Sequence, residues 1–177
     1  MNVPNILTLL RFLMIPLFGY YLYSKSFTQA VLVFIIAGIT DILDGKIARK
    51  YNMVTSWGKI ADPMADKLIQ LTALVMLTLM HSIQPIVLAI VAVKEAFMGI
   101  GSLVLYKQNN FVVSANWYGK MATVIFYFSI IMIILINKEP YKSIFISLAV
   151  LSTLFAFFMY LGQFRKIKEA AGSIENN

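Results

Sequence analysis

Six long apolar stretches divide this chain, and most of the gaps between them are only a few residues. They run roughly Asn5–Tyr23, Phe27–Ile47, Pro63–His81, Gln84–Tyr106, Trp117–Ile136 and Ser143–Leu161. Each has about 19–23 residues, and a helix rises about 1.5 Å per residue, so each matches a hydrocarbon core of about 30 Å. Only 13% of residues are charged, against about a quarter in a soluble domain. The reading is an all-α integral membrane protein of six transmembrane helices, forming a single domain over residues 1–177. With no cysteine and a single histidine, disulfides, thiolate metal sites and histidine clusters are excluded. The net charge of +7 belongs to membrane-flanking loops and not to nucleic acid binding, because no soluble basic domain exists. The N-terminus MNVPNILTLLR lacks a basic n-region and a small-residue cleavage site, and so reads as mature sequence.

The loops predict an orientation. One side of the membrane carries Lys46, Arg49, Lys50, Lys59, Lys107, Lys120, Arg165, Lys166 and Lys168, and the other only Lys25, Lys138 and Lys142. The positive side is cytoplasmic, which puts both termini in the cytoplasm. Trp57, Trp117, Tyr118, Tyr20, Tyr21 and Tyr23 fall near the predicted boundaries, as an aromatic belt would.

Against this apolar background, residues 41–66 read DILDGKIARKYNMVTSWGKIADPMAD and hold half of the eight acidic residues. Asp41, Asp44, Gly45 and Ala48 follow i, i+3, i+4, i+7, which is one helix face. Asp62 and Asp66 share a face of the next helix. Asp62 before Pro63 predicts an N-cap followed by proline at N1. A bend over residues 51–61 would then bring the two acidic faces together. One aspartate at a helix centre costs about 2.5–3.5 kcal/mol, and gathered carboxylates repel one another. Divalent cations offset both, and pairs of them about 3.5–4 Å apart serve phosphoryl transfer. Gly45 and Ala48 leave room beside the carboxylates, and Arg49 can take a phosphate in a two-pronged grip. Two other readings stay open at this point: ion pairing with Lys46, Arg49, Lys59 and Lys67, or a cation pathway.

The stretch resembles the signature of the CDP-alcohol phosphatidyltransferase family, D-x2-D-G-x2-A-R-x(n)-G-x3-D-x3-D. It is matched by Asp41, Asp44, Gly45, Ala48, Arg49, Gly58, Asp62 and Asp66 without a mismatch. The segment from Pro4 through Asn5–Thr8 to Arg11 resembles the family's P-N-x-x-T-x-x-R. The resemblance implies a six-span membrane enzyme using one or two divalent ions, Mg²⁺ or Mn²⁺. It implies that Asp41, Asp44, Asp62 and Asp66 hold metal and that Asp66 also acts as general base. The donor, CDP-diacylglycerol, would be bound by Asn5, Thr8, Gly45, Ala48, Arg49, Thr55 and Gly58, with Arg11 lining the same site. Dimers are common in such families, so a homodimer is possible. The implied location is the cell membrane, multi-pass, with the active site facing the cytoplasm.

The acceptor is read from PNILTLLR, VTSWGKIADPMADKL and YGKMAT, which are similar to the branch of the family that makes phosphatidylglycerol phosphate. That branch implies glycerol 3-phosphate as acceptor, with basic groups on the fourth and fifth spans binding its phosphate. Here Lys94-Glu95 stands where Arg-Glu is typical, Ser102 stands where a second arginine is typical, and Gly119-Lys120 is retained. Lys94 and Lys120 are thus the acceptor-binding candidates. The family's cardiolipin synthases, which take phosphatidylglycerol instead, share much of this pattern. Glycines 99 and 101 are expected to permit close helix contact, and His81 is expected to be a loop residue.

Overall fold

The computed structural model describes residues 2–175 apart from 52, 54, 56, 110–116 and 137, with side chains left out at 49, 59, 101–109 and 163–175. Every regular element among the described residues is a helix: α1 (Val3–Tyr23), α2 (Phe27–Lys50), α3 (Gly58–Leu79), α4 (Pro85–Asn109), α5 (Trp117–Leu135) and α6 (Tyr141–Glu175). Six helices form where six apolar stretches are expected. Three of them, α1, α5 and the Tyr141–Gly162 part of α6, are long and apolar enough to cross a membrane. The other three interrupt their apolar runs with charge: Asp41 and Asp44 on α2, Asp62 and Asp66 on α3, and Lys94-Glu95 on α4.

The chain divides into two compact units, Met1–Leu88 with Ile134–Asn137, and Ala89–Ile133 with Lys138–Asn177. In the first unit α1 is the hub. It packs extensively against α2 and also against α3, while α2 and α3 touch each other little. The buried residues of α1 are Pro4, Thr8, Arg11, Phe18 and Leu22, a stripe stepping by three, four or seven as a helix face must. On α2 the matching stripe is Ala30, Phe34, Ala37 and Asp44. The turn at residues 24–26 runs the two helices antiparallel. The apolar end of one stripe therefore meets the apolar end of the other, and Phe18 stacks on Phe34 with ring centroids 5.0 Å apart. On α3 the buried Ala61, Ala65, Ile69 and Ala73 keep the face small, and Gly19 of α1 comes near Thr72, whose Cγ2 would lie 3.6 Å from an added Cβ.

The outer face of α1 is Ile6, Leu9, Leu10, Leu13 and Leu17, all exposed. A helix with leucine outside and Thr8 and Arg11 inside is inverted relative to a soluble one. Such an arrangement suits a solvent of lipid.

α1 and α3 end alike. Ser26 N–H donates to Tyr21 C=O at 2.9 Å and Lys25 N–H to Leu22 C=O at 3.0 Å; Ser82 N–H donates to Leu77 C=O at 2.8 Å and His81 N–H to Thr78 C=O at 2.9 Å. These are Schellman caps, with Lys25 and His81 at φ of 57° and 53° in the position glycine usually takes. His81 is thus a turn residue, as expected.

The start of α3 differs from expectation. The helix begins at Gly58, and Pro63 lies inside it, so Asp62 is not its N-cap. The N-cap is Trp57, with no capping bond from its side chain, and the first-turn Gly58 N–H donates to the Thr55 hydroxyl at 2.9 Å. Pro63 so close to the N-terminus removes a single backbone bond, and the helix tolerates it.

In the second unit, Tyr118 and Ala122 of α5 share a buried cluster with Ala156 of α6, and Phe128 meets Phe145 edge to face at 5.9 Å. Gly99 has no described atom within 4 Å of where a Cβ would stand, so among the described residues no close contact is made there. Gly101 lies outside the described side chains.

The Phe18–Phe34 stack predicts a test of the α1–α2 seam. Phe34→Ala should destabilise the protein by about 3–5 kcal/mol, as large-to-small changes at fully buried aromatics do. Phe34→Leu should cost clearly less. Unfolding in detergent with both variants checks this, and equal, small losses would mean that the seam is not where the first unit gets its stability.

Candidate active site

The polar ends of the two stripes build the site. Arg11 lies three helical turns before Leu22 on the same face of α1, and Asp41 and Asp44 lie two and three turns after Phe34 on α2. The antiparallel pairing sets them opposite one another. Arg11, fully buried, places Nη1 2.8 Å from Asp41 Oδ1 and donates through Nη2 to Asp44 Oδ2. Asp44 is buried too, while Asp41 is about one-third exposed. Arg11 Nη1 also reaches the Asp62 carbonyl at 3.4 Å, a long contact that adds little.

Thr8, one turn earlier on α1, gathers α3. Its hydroxyl lies 3.1 Å from the Pro4 carbonyl and also bonds Asp62 Oδ1. A hydroxyl has one proton, and the charged carboxylate is the stronger acceptor. The meeting of the acidic faces is therefore mediated by α1 and not by the loop alone. Asp41 comes within electrostatic reach of Asp62 and Asp66, and Asp44 of Asp62 and Asp41. Asp66 accepts from Gln70 Nε2 at 2.9 Å, a partner one turn along α3 that sequence reasoning did not single out.

Asn5, Thr55 and Gly58 form a second cluster. The Thr55 hydroxyl donates to Asn5 Oδ1 at 3.0 Å and accepts from Gly58 N–H at 2.9 Å, tying the loop before α3 to both α1 and α3. Glycine is required at 58 by space. A Cβ there would lie 3.0 Å from Thr55 Oγ1, 3.2 Å from Asn5 Oδ1 and 3.7 Å from Asp62 Oδ2. Gly45 and Ala48, half-buried, follow Asp44 on α2.

Arg11 and Thr55, both expected at the donor site, have partners within the protein: Arg11 is bound to Asp41 and Asp44, and the Thr55 hydroxyl is engaged by Asn5 and Gly58. Among the described residues, the cation paired with α2's aspartates is Arg11, where the sequence offered Lys46, Arg49, Lys59 and Lys67. The side chains of Arg49 and Lys59 lie outside the described residues. In the second unit, Lys94 is buried and ion-paired with Glu95, and Lys120 is exposed in the first turn of α5.

The donors of the cluster are carboxylate oxygens, hard ligands whose chemistry fits Mg²⁺ or Mn²⁺. Among the described residues, however, no group of three or more histidine, cysteine, aspartate or glutamate side chains is spaced to hold an ion. The donor set suits a hard divalent ion, while the spacing is that of carboxylates gathered on an arginine and a threonine.

Comparison with known proteins agrees with the motif. Residues 1–159 match the family model for CDP-alcohol phosphatidyltransferase. A relative in Aquifex aeolicus (strain VF5), named CDP-diacylglycerol–glycerol-3-phosphate 3-phosphatidyltransferase, is 30% identical over 139 residues, 77% of this chain and 78% of its own. One of the same name in Bacillus subtilis (strain 168) is 34% identical over 137 residues, 69% and 70% of the two chains. Another in Rickettsia felis (strain ATCC VR-1525 / URRWXCal2) is 39% identical over 97 residues, about half of each chain. A family match over residues 1–159, the range that contains the aspartate signature, sets aside the cation-pathway reading: this chain belongs to the CDP-alcohol phosphatidyltransferase family.

Proposed function

We propose that the chain transfers the phosphatidyl group of CDP-diacylglycerol to glycerol 3-phosphate, releasing CMP and forming phosphatidylglycerol phosphate. The observation that carries this reading is the name shared by relatives that match more than two thirds of the chain. The gathering of Asp41, Asp44 and Asp62 by one helix supports it, because a diphosphate needs concentrated cations, and concentrated cations need gathered carboxylates.

In the proposed reaction a hydroxyl oxygen of glycerol 3-phosphate attacks the phosphorus that carries the diacylglycerol. The bond from that phosphorus to the bridging oxygen breaks, and CMP leaves with the electron pair. The hydroxyl proton passes to Asp66, which Gln70 holds from one side. A divalent ion, Mg²⁺ or Mn²⁺, would be held by Asp41, Asp44, Asp62 and Asp66 and would supply charge neutralisation on the diphosphate. Gly45 and Ala48 leave backbone room for the nucleotide, and Asn5, Thr8, Arg49, Thr55 and Gly58 complete its surroundings. Lys94 and Lys120 are proposed for the acceptor phosphate as point charges. The acyl chains stay in the bilayer throughout, which is why the enzyme is a membrane protein.

The same proposal includes six spans, both termini and the aspartate face cytoplasmic, a cell-membrane location, and a homodimer as the working unit.

Purified protein incubated with CDP-diacylglycerol, Mg²⁺ and separate acceptors tests the reaction. Mass spectrometry should find phosphatidylglycerol phosphate with glycerol 3-phosphate. Product with phosphatidylglycerol alone would reassign the chain to cardiolipin synthesis. Asp66→Asn should cut kcat by at least about 100-fold with donor binding largely kept, since a base acts in the transition state. A variant with near wild-type kcat would remove Asp66 from that role. Lys94→Ala should raise the acceptor KM about tenfold, the effect of losing a charge-assisted contact, and leave the donor KM unchanged. An unchanged acceptor KM would exclude Lys94 from binding it.

The absence of cysteine allows a clean topology test. In cells, Met53→Cys should react with thiol reagents only from the cytoplasmic side and Lys138→Cys only from outside. The opposite pattern would invert the proposed orientation.

A further inference from the structure

The ion pairs of Arg11 do more than balance charge. Arg11 is the one buried arginine among the described residues, and its two terminal nitrogens take Asp41 and Asp44 separately. Its Nε has no described partner, so its polar contacts go to the aspartate cluster and the neighbouring Asp62 carbonyl. Thr8 and Arg11 together engage one oxygen of each of three carboxylates: Oδ1 of Asp41, Oδ2 of Asp44 and Oδ1 of Asp62. A carboxylate has two oxygens and about four acceptor positions, so each can still face a second cation.

We propose that Arg11 is a positioning residue, a built-in counter-cation that gathers Asp41 and Asp44 against α1 and orders the cluster before a divalent ion binds. In its absence the two carboxylates of α2 would repel each other with no fixed positive charge between them. A metal ion would then have to supply both the charge and the order. This inference rests on the reading of the aspartates as metal ligands and adds a role for α1 that the donor-site expectation did not contain. It also separates two functions of one helix: Arg11 and Thr8 hold carboxylates, while Asn5 holds the loop at Thr55.

The test uses the full chain in detergent, with thermal unfolding followed in EDTA and in excess MgCl₂. In EDTA, Arg11→Met should lower Tm by about 10 °C, the loss expected when a buried ion pair is broken from one side. Arg11→Met with Asp44→Asn should recover at least half of that loss, because the stranded charge is gone. Arg11→Lys, which keeps the charge without the fork, should fall between wild type and Arg11→Met. The rise in Tm on adding MgCl₂ should be larger in Arg11→Met than in wild type, since the ion then supplies order that Arg11 supplies otherwise. A residue that merely packed would not move this metal response. The proposal is overturned if Arg11→Met is as stable as wild type in EDTA, if Asp44→Asn brings no recovery, or if the Mg²⁺-induced rise is equal or smaller in the variant. The EDTA arm contains neither metal nor substrate, so it can fail while the transferase reading stands, and product analysis can fail while the Arg11–Asp44 coupling stands.

Discussion

A guanidinium buried between two carboxylates is the constraint on which the first unit depends. Buried charge is tolerated only when paired and hydrogen-bonded, and Arg11 finds both conditions in one place, on Asp41 and Asp44. The pairing fixes the rotation of α1 about its axis, because the face that carries Arg11 is also the face of Thr8, Phe18 and Leu22. It fixes the rotation of α2 in the same way, through Asp44, Ala37 and Phe34. Two helices locked by a polar contact at one end and an aromatic stack at the other keep little freedom to slide. α3 is then held against α1 by small residues and by the Thr8–Asp62 bond.

Much of this was readable from the chain. The apolar stretches and their short breaks mark all six helices, within a turn at most ends; α3 starts five residues before Pro63 and α6 runs fourteen residues past Leu161. The aspartate spacing marked the faces that meet. The start of α3 differs because an Asp-Pro pair is a strong local cap signal, whereas the bond from Gly58 N–H to Thr55 depends on a loop whose path no periodicity encodes. In the sequence Arg11 stands out only as part of a motif. A physical signal was available: an arginine within an apolar span must find an acid, and its stripe partners Phe18 and Leu22 pointed to α2, whose acids are Asp41 and Asp44. What the sequence lacked was the statement that α1 lies between α2 and α3. Helix adjacency comes from side-chain volume and tertiary packing, here from alanines at 30, 37, 61, 65 and 73, and those residues look unremarkable in any hydropathy plot.

The site is also economical in its donors. Gly58 N–H, in the first turn of α3, donates to Thr55, and Thr55 in turn donates to Asn5. A glycine demanded by crowding thus sits where one backbone amide orders a loop, a helix start and a side chain on a different helix. This is why a motif glycine that makes no chemical contribution of its own can be as restrictive as the carboxylates around it.

The division of the α1–α2 seam into an apolar half and a polar half has a consequence for how such a chain can change over generations. Substitutions near Phe18 and Phe34 act on whether the protein folds and leave the carboxylates alone. Substitutions near Thr8 and Arg11 act on the carboxylates while the aromatic half still zips the helices together. Selection can therefore retune the reactive end of α1 and drift through the greasy end almost separately, along a single helix of six turns.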